Sequence, residues 1–472
     1  MENVGNIEAS AIREFLDNLV ETDRPRAHRL RSDSILDEIH LLGLEPGRPV
    51  MVAMPNGGQF IAVVLALLAE GVVPILLPPA APASRIARMA RALGADALIA
   101  PTIPPELRDS ESPHRTGQTA QLAFLHGVDT CGYQPGEIIL LTSGTSGVFS
   151  GCLHRIDSLL LNATRHARVI GQTGADSVLI NLPMHYSYAF VAQMLATLVS
   201  GGKAVISGPP FTPARYERTI RDHMVTVSSV TPVMVASWCQ ARRELPAPLR
   251  VLTVGGAALD TALVADLVRR NPDLALYLTY GLTEAGPRVS TLAAHLEPPE
   301  RYSSVGLPLP GVHVDLRRPE PDDEVGELII GTDTGMLRRV GRRDAPASST
   351  TDTTISTGDM FSMDDEGYLY FQGRQPYSVL IGGEKVCLKS VCAIAETLPG
   401  ILGAQAWTQE TPAGDIVFTL DLYCDDTTQV DEREIRRQLA KILLRSEQPT
   451  SVQIHPASHL GWRKSRLQGS EV

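Results

Sequence analysis

The stretch Ile138-Ile-Leu-Leu-Thr-Ser-Gly-Thr-Ser-Gly-Val-Phe-Ser-Gly151 decides how this chain is read. Its first four residues, Ile138 to Leu141, are apolar and end abruptly, which predicts a short buried strand. Thr142, Ser143, Gly144, Thr145, Ser146 and Gly147 follow at once, offering four hydroxyls and two glycines free to take positive φ. Backbone N–H groups in such a loop can turn inward together, which is the chemistry of a phosphate cradle. No Gly-Lys-Ser/Thr follows, so this is not the P-loop of ordinary NTPases. Taken alone, such a run is equally compatible with a plain surface loop, and the surrounding chain has to decide.

Working outward, apolar runs alternate with helical patterns on both sides. Upstream, residues 7 to 45 carry helical spacing at Ile12, Phe15, Leu16 and Leu19, then Ile35, Ile39 and Leu42. Strands are predicted at 49–54, 72–77 and 97–100, with helices at 59–70 and 84–93 between them. Residues 101 to 131, rich in Pro, Ser, Thr and Gly, read as a long connection without periodicity. Downstream, helices are predicted at 158–170, 190–199 and 214–223, and strands at 177–182, 203–207, 226–230, 249–254 and 276–279. This alternation predicts parallel βαβ units. From about residue 303 the pattern shifts to shorter strands and turns, with a loop expected at 341–354. The expected fold is α/β. A large N-terminal domain of mixed and parallel sheets flanked by helices spans 1–373, and a small α+β lid domain spans 374–472.

Composition removes several functional classes. At 472 residues the chain exceeds the size of one core, so two or more domains are expected. A net charge of −11 argues against nucleic acid or an anionic membrane surface as a partner. The six cysteines form no CxxC pair and no metal spacing, and read as reduced and structural. The N-terminus shows no signal-peptide pattern, and the longest apolar run, Phe60 to Ala69, is too short to span a bilayer. The expectation is a cytoplasmic protein with no membrane segment.

Four further stretches place polar groups just past predicted strands, where ligands gather in open α/β sheets. They are Pro183-Met-His-Tyr-Ser-Tyr-Ala, Gly255-Gly-Ala, Tyr280-Gly-Leu-Thr-Glu-Ala, and Ser356-Thr-Gly-Asp-Met, the last leading to Gly373-Arg374. The ordered set Thr-Ser-Gly-Thr-Ser-Gly, Tyr-Gly-Leu-Thr-Glu, Thr-Gly-Asp and Gly-Arg resembles the adenylate-forming superfamily. That superfamily includes acyl-CoA synthetases, peptide-synthetase adenylation domains and luciferases. The likeness runs from the helix at residue 59 to the Gly-Gly at 382.

The resemblance implies ATP and Mg²⁺ as cofactors and assigns roles by position. Thr142, Ser143, Gly144, Thr145, Ser146 and Gly147 would wrap the ATP phosphates, with Thr145 among the catalytic residues. Tyr280 would lie against the adenine, with Gly255, Gly256 and Ala257 as the opposite wall and Gly281 among the cofactor-binding residues. Thr283 would contact the α-phosphate, and Glu284 would hold the metal. Asp359 would accept hydrogen bonds from the ribose hydroxyls, and Arg374 would support the ribose beside the hinge. His185, nominated among the catalytic residues, and Tyr186 would shape the mouth of the acid pocket, with Ser229 and Val230 in its wall. The chemistry suits these residue types: carboxylates bind diols and hard cations, and hydroxyls and N–H groups bind phosphate.

The chain also departs from the family pattern. Phe149-Ser150-Gly151 stands where Pro-Lys-Gly is usual, and Tyr377 and Leu380 replace the hinge acid and the lysine before the Gly-Gly. The closing Pro-x-Thr-x-x-Gly-Lys becomes Pro456-Ala-Ser-His-Leu-Gly461-Trp462-Arg463-Lys464. Direct register puts Trp462 at the lysine position, and a shifted one brings Arg463 or Lys464 there. Lys464 is nominated as the catalytic cation. The implied activity is an AMP-forming ligase that activates a carboxylic acid and passes it to coenzyme A, a carrier-protein thiol or an amine. Two alternatives remain: a diazotase-type enzyme activating nitrite for N–N bond formation on an arylamine, and a degenerate nucleotide-binding partner.

Overall fold

The computed structural model describes residues 4, 5, 7–23, 32–108, 115, 116, 120–125, 132–142, 150–208, 211–240, 245–318, 323–341, 354–374, 378–411, 415–424 and 431–456. Two eight-stranded sheets dominate the N-terminal part. In the first, the strands Glu137–Thr142, Val73–Leu76, Pro49–Val52 and Ala97–Ala100 lie side by side and parallel. Antiparallel strands flank them: Ser150–Arg155 and Arg338–Val340 on one side, Gln121–Phe124 and Arg115–Thr116 on the other. The second sheet runs Val20–Glu21, Lys203–Ile206, Ser177–Ile180, Val227–Val230, Val251–Gly255 and Ala275–Gly281, all parallel. Arg288–Ala293 and Leu307–Pro308 close that sheet antiparallel.

The helix Gly58–Ala69 shows why the two sheets stay together. Its sequence, GQFIAVVLALLA, is apolar on every face, and a helix of that kind has to be covered all round. Its residues join one core with Val50, Leu76, Ile138 and Leu140 of the first sheet and Ile180 and Ile206 of the second. Amphipathic helices such as Pro213–Asp222 and Ala83–Leu93 instead bury one stripe and leave the other in water.

Beyond the second sheet a four-stranded antiparallel sheet is built from Val312–Arg317, Gly326–Thr332, Thr354–Met363 and Leu369–Arg374. The chain then forms a hairpin, Ser378–Ile381 with Glu384–Cys387, and a three-stranded sheet of Ile401–Glu410, Ile416–Cys424 and Ser451–Pro456. The helices Leu388–Ala395 and Glu432–Ala440 cover that sheet around a separate core that includes Val391, Leu420, Phe418 and Leu439. This small unit leans on the helix Ala83–Leu93. Arg85 pairs with Glu447 through both guanidinium nitrogens, Nη2 to Oε1 at 3.2 Å, and Arg88 donates to Thr397 at 3.2 Å.

The expected α/β plan and most strands stand, with three corrections. Residues 101–131 are not wholly a connection, because two antiparallel strands within them extend the first sheet. Residues 7–45 are two helices, Ala9–Asp17 and Ser32–Leu41, parted by the edge strand Val20–Glu21. The Thr-Gly-Asp motif is not past a strand but inside Thr354–Met363, beside a register shift at Met360/Phe361. The loop expected at 341–354 falls almost wholly outside the described residues, as 342–353 are not among them.

Candidate active site

Of the nominated residues, Gly255, Gly256, Ala257, Tyr280, Gly281 and Thr283 lie at the C-terminal ends of two parallel strands of the second sheet, with Tyr280 bonded to the Thr354–Met363 strand. Gly255 ends its strand, and a Cβ there would run into the Thr279 hydroxyl and come within 3.2 Å of the Tyr188 hydroxyl. Gly256 then takes φ +90°, and Ala257 is exposed, so the Gly-Gly-Ala turn is an open backbone ledge. On the next strand, Tyr280 and Gly281 are the last two residues. A side chain at Gly281 would collide with the Pro287 carbonyl, which explains a glycine at that point.

The Tyr280 hydroxyl donates to Asp359 Oδ2 at 2.7 Å, joining two motifs that lie 79 residues apart. Asp359 is 1% exposed and stands opposite Arg374 in the strand register. The Tyr280 ring meets Phe361 edge to face, with centroids 4.9 Å apart. Two residues nominated for the ribose and one for the adenine therefore share one corner of the molecule. Thr283 opens a short 3₁₀ turn, Thr283–Ala285, and shares a 2.8 Å hydrogen bond with the Ser187 hydroxyl.

Glu284 is buried and holds an ion pair that the sequence reading missed: Arg339 Nη2 donates to Glu284 Oε1 at 2.8 Å. Arg339 comes from the edge strand Arg338–Val340 of the first sheet, so this pair ties the two sheets together at the site. The donor set fits a magnesium ion arriving with phosphate. Mg²⁺ takes hard oxygen ligands, commonly one or two carboxylates beside phosphate oxygens and water. Among the described residues no cluster of three or more His, Cys, Asp or Glu side chains could hold a metal alone. Beside Glu284 lies His154, fully buried against the Thr283 backbone. Burial outweighs the Glu284 carboxylate and pushes its pKa down to about 4, so the imidazole is neutral.

The Pro183-Met-His-Tyr-Ser-Tyr-Ala stretch leaves the Ser177–Ile180 strand and is pinned by Asn56. Its side chain donates to the Leu182 carbonyl at 2.7 Å and accepts from the Met184 N–H at 2.8 Å. The His185 ring packs tilted against Tyr186 with centroids 4.3 Å apart, and burial pushes the His185 pKa down to about 4. Burial, with the Glu384 and Glu447 carboxylates nearby, pushes the Tyr186 hydroxyl up, so Tyr186 faces the small C-terminal unit. A π-helix, Tyr188–Leu195, follows; such distortions are common at functional sites. Ser229 accepts from Thr253 at 2.8 Å, and the Val230 carbonyl accepts from Tyr188 at 3.4 Å. The polar atoms of both are thus engaged, by the neighbouring strand and by the π-helix.

Thr142 ends its strand paired with Ser150 across the antiparallel ladder, so the two ends of the nominated phosphate loop are adjacent. Ser143, Gly144, Thr145, Ser146 and Gly147 lie outside the described residues, as does Lys464. The Arg374 backbone is described, its side chain is not. Sequence reasoning passed over Arg339, His154, Tyr188 and Arg288. The available signal for Arg288 was a lone cation opening a strand, Arg288–Ala293, that is otherwise apolar or small. A small surface recess is lined by Asn181, Ser207, Phe211 and Tyr216. Among the described residues no helix is long and apolar enough to cross a membrane.

The model of the AMP-binding enzyme family matches residues 32–338. A 2-succinylbenzoate–CoA ligase of Bacillus licheniformis is 26% identical over 305 residues, 62% of this chain and 63% of that protein. The match thus spans less than two thirds of that relative. A sulfoacetate–CoA ligase of Cupriavidus necator is 26% identical over 86% of this chain and 84% of its own. A salicyl-AMP ligase of Mycobacterium tuberculosis is 25% identical over 80% and 72%. Among solved structures, an o-succinylbenzoate CoA synthetase from Bacillus subtilis superposes with a TM-score of 0.75 at 20% identity, covering 93% of this chain and 91% of that one. An amide bond synthetase from Marinactinospora thermotolerans gives 0.74 at 20% identity, covering 94% and 95%. At that identity these likenesses speak for the fold.

Proposed function

Because this chain belongs to the AMP-binding enzyme family, within the adenylate-forming superfamily, we propose that it is an AMP-forming ligase. It activates a carboxylic acid with ATP and transfers the acyl group to a thiol or amine. The observation that carries this reading is the Tyr280–Asp359 hydrogen bond, with Asp359 set opposite Arg374. An aromatic face, a buried carboxylate and a backbone ledge at Gly255–Ala257 are what a nucleoside requires. The relatives' names speak of acids joined to coenzyme A or held as AMP esters, which supports the acid and thiol parts of the proposal.

The chemistry follows from charge. A carboxylate is a poor electrophile until its oxygen becomes part of a phosphate leaving group. Its attack on the α-phosphorus forms a C–O–P linkage and breaks the bond to pyrophosphate. Asp359 accepts from the ribose hydroxyls and Tyr280 lies along the base, which fixes the α-phosphorus near the Thr283 hydroxyl. Bound at Glu284, Mg²⁺ would supply positive charge against the phosphates. Arg339 is poised to hold the same carboxylate when ATP is absent. The neutral His154 and His185 add no competing cation, and Lys464 remains the nominated cation of the first step. Residues 374–472 form the proposed lid domain, whose closure would exclude water from the adenylate.

The test is ATP–pyrophosphate exchange across a panel of aryl and alkyl carboxylic acids, amino acids and nitrite. Exchange with a carboxylic acid, lost in Glu284→Ala, supports the reading. Exchange or AMP release requiring nitrite and an arylamine replaces it with the diazotising alternative. Silence with ATP still bound replaces it with a nucleotide-binding protein.

A further inference from the structure

Arg288 is a buried cation in this neighbourhood that the proposed reaction leaves unused. It opens the Arg288–Ala293 strand, antiparallel to Ala275–Gly281, and is 3% exposed. Its backbone is held by Asn162, which donates to the Arg288 carbonyl at 3.0 Å and accepts from its N–H at 3.0 Å. The side chain is therefore aimed by the sheet and by the helix Ile156–Val169, not by a charge of its own.

The guanidinium has little company. Nη1 donates to the Thr279 hydroxyl at 2.8 Å, while Nε and Nη2 have no hydrogen-bond partner. The cation lies 3.8 Å above the centre of the Tyr188 ring, so the contact there is with the π face rather than in the ring plane. Among the described residues no carboxylate forms an ion pair with it. Its other titratable neighbour, His166, is buried with both ring nitrogens unpartnered. Burial, with Arg288 beside it, holds the His166 pKa well below its ordinary value, so that ring is neutral. A buried cation without an anion is costly, and proteins keep one where a counter-ion arrives from outside.

The position says where that counter-ion would come from. Thr279 precedes Tyr280, and Tyr188 follows Ser187, whose hydroxyl meets Thr283. The Tyr188 hydroxyl and the Thr279 hydroxyl are the two groups that a side chain at Gly255 would strike. Arg288 thus lies at the floor of the same corner whose rim carries the nucleotide residues.

We propose that Arg288 is a specificity residue of the acid pocket, and that the acid activated here carries a second anionic group, a carboxylate or sulfonate, seated on the Arg288 guanidinium. This rests on the reading of the site as acid-activating. Planar guanidinium nitrogens left open in a dry site suit a two-oxygen anion, which can accept from both at once. The reacting carboxylate is a separate group, placed by Thr283 at the rim.

The experiment compares matched pairs that differ only in the second acid: benzoate against phthalate, isophthalate and sulfobenzoate, and propionate against succinate and sulfopropionate. Wild-type protein and Arg288→Met are assayed by pyrophosphate exchange, and binding is measured by calorimetry with a non-hydrolysable ATP analogue present. The expected result is a preference of at least about 100-fold for one diacid over its monoacid partner, since a site built for a polar group rejects the analogue lacking it. That ratio should collapse in Arg288→Met and fall only partway in Arg288→Lys, which keeps the charge but not the two-nitrogen fork. Which diacid wins separates carboxylate from sulfonate. A wild-type protein that prefers monoacids, or an Arg288→Met variant that loses both classes in equal proportion, overturns the proposal. Should Arg288→Met fail to fold, the wild-type ratio and Arg288→Lys still decide. Arg288-dependent diacid binding without pyrophosphate exchange would uphold this inference while removing the ligase reading.

Discussion

Replacing Tyr280 by Phe isolates the bond on which the nucleotide corner turns. The ring stays, with its edge-to-face contact on Phe361, and only the hydroxyl that donates to Asp359 is lost. A hydrogen bond to a charged acceptor contributes about 1.5–3 kcal/mol. At 1% exposure Asp359 is shielded from bulk water, so Tyr280→Phe should cost about 2 kcal/mol of unfolding free energy. Urea denaturation followed by fluorescence reads this as a lower midpoint with an unchanged slope. The ribose hydroxyls of AMP would supply new donors to Asp359. Saturating AMP should therefore raise the melting temperature of Tyr280→Phe more than that of wild type. A loss below about 0.5 kcal/mol, or an AMP shift no larger in the variant, would refute the argument that Asp359 waits for the ribose.

Other perturbations follow from the same geometry. Arg339→Met leaves the buried Glu284 carboxylate without its cation, so the ATP-free protein should lose about 3 kcal/mol, with Mg·ATP restoring more stability than in wild type; equal thermal shifts would contradict this. Asp359→Ala should raise the KM for ATP at least tenfold with a smaller effect on kcat, measured by initial rates, and an unaltered KM would remove Asp359 from the ribose. Burial holds the folded His154 at about 4, below its ordinary 6.5, so the folded state binds fewer protons than the unfolded one. That contribution is intact above pH 6.5 and is lost as pH falls toward 4, amounting to about 3 kcal/mol in full. Denaturation midpoints between pH 7 and 4 should fall less steeply in His154→Gln. Arg85→Ala breaks the nearly buried pair with Glu447 that seats the small C-terminal unit, and limited proteolysis should cut that unit faster than in wild type.

The parallel sheets were legible because buried strands such as Ile138 to Leu141 are continuous apolar runs, and the helix Gly58–Ala69 is apolar throughout. The meeting of the residues around Asp359 was legible for a different reason. Tyr280, Asp359 and Arg374 sit in short motifs whose order is informative, and the strand register brings them together. What stayed hidden were partners supplied by distant strands. Arg339 reaches Glu284 from the edge of the other sheet, a pairing across 55 residues that no local pattern announces. The strand Arg288–Ala293 escaped because it mixes Arg, Ser and Thr with apolar residues and so lacks a clear period. The strands Arg115–Thr116 and Gln121–Phe124 were too short, and too rich in polar residues around them, to stand out from a loop. Thr-Gly-Asp is expected just past a strand, as glycine and aspartate favour turns, yet it lies inside one, where Gly358 takes φ +70° beside a shifted register.

The central claim is that an acid oxygen becomes bonded to the α-phosphorus of ATP. It is tested most directly with a carboxylic acid, found active by pyrophosphate exchange, whose carboxylate is labelled with ¹⁸O. After complete turnover with an acceptor thiol or amine, the released AMP is analysed by mass spectrometry. The account predicts one labelled oxygen in each AMP, because the C–O bond of the adenylate breaks when the nucleophile attacks the acyl carbon. Unlabelled AMP, or label appearing in inorganic phosphate beside ADP, would contradict it.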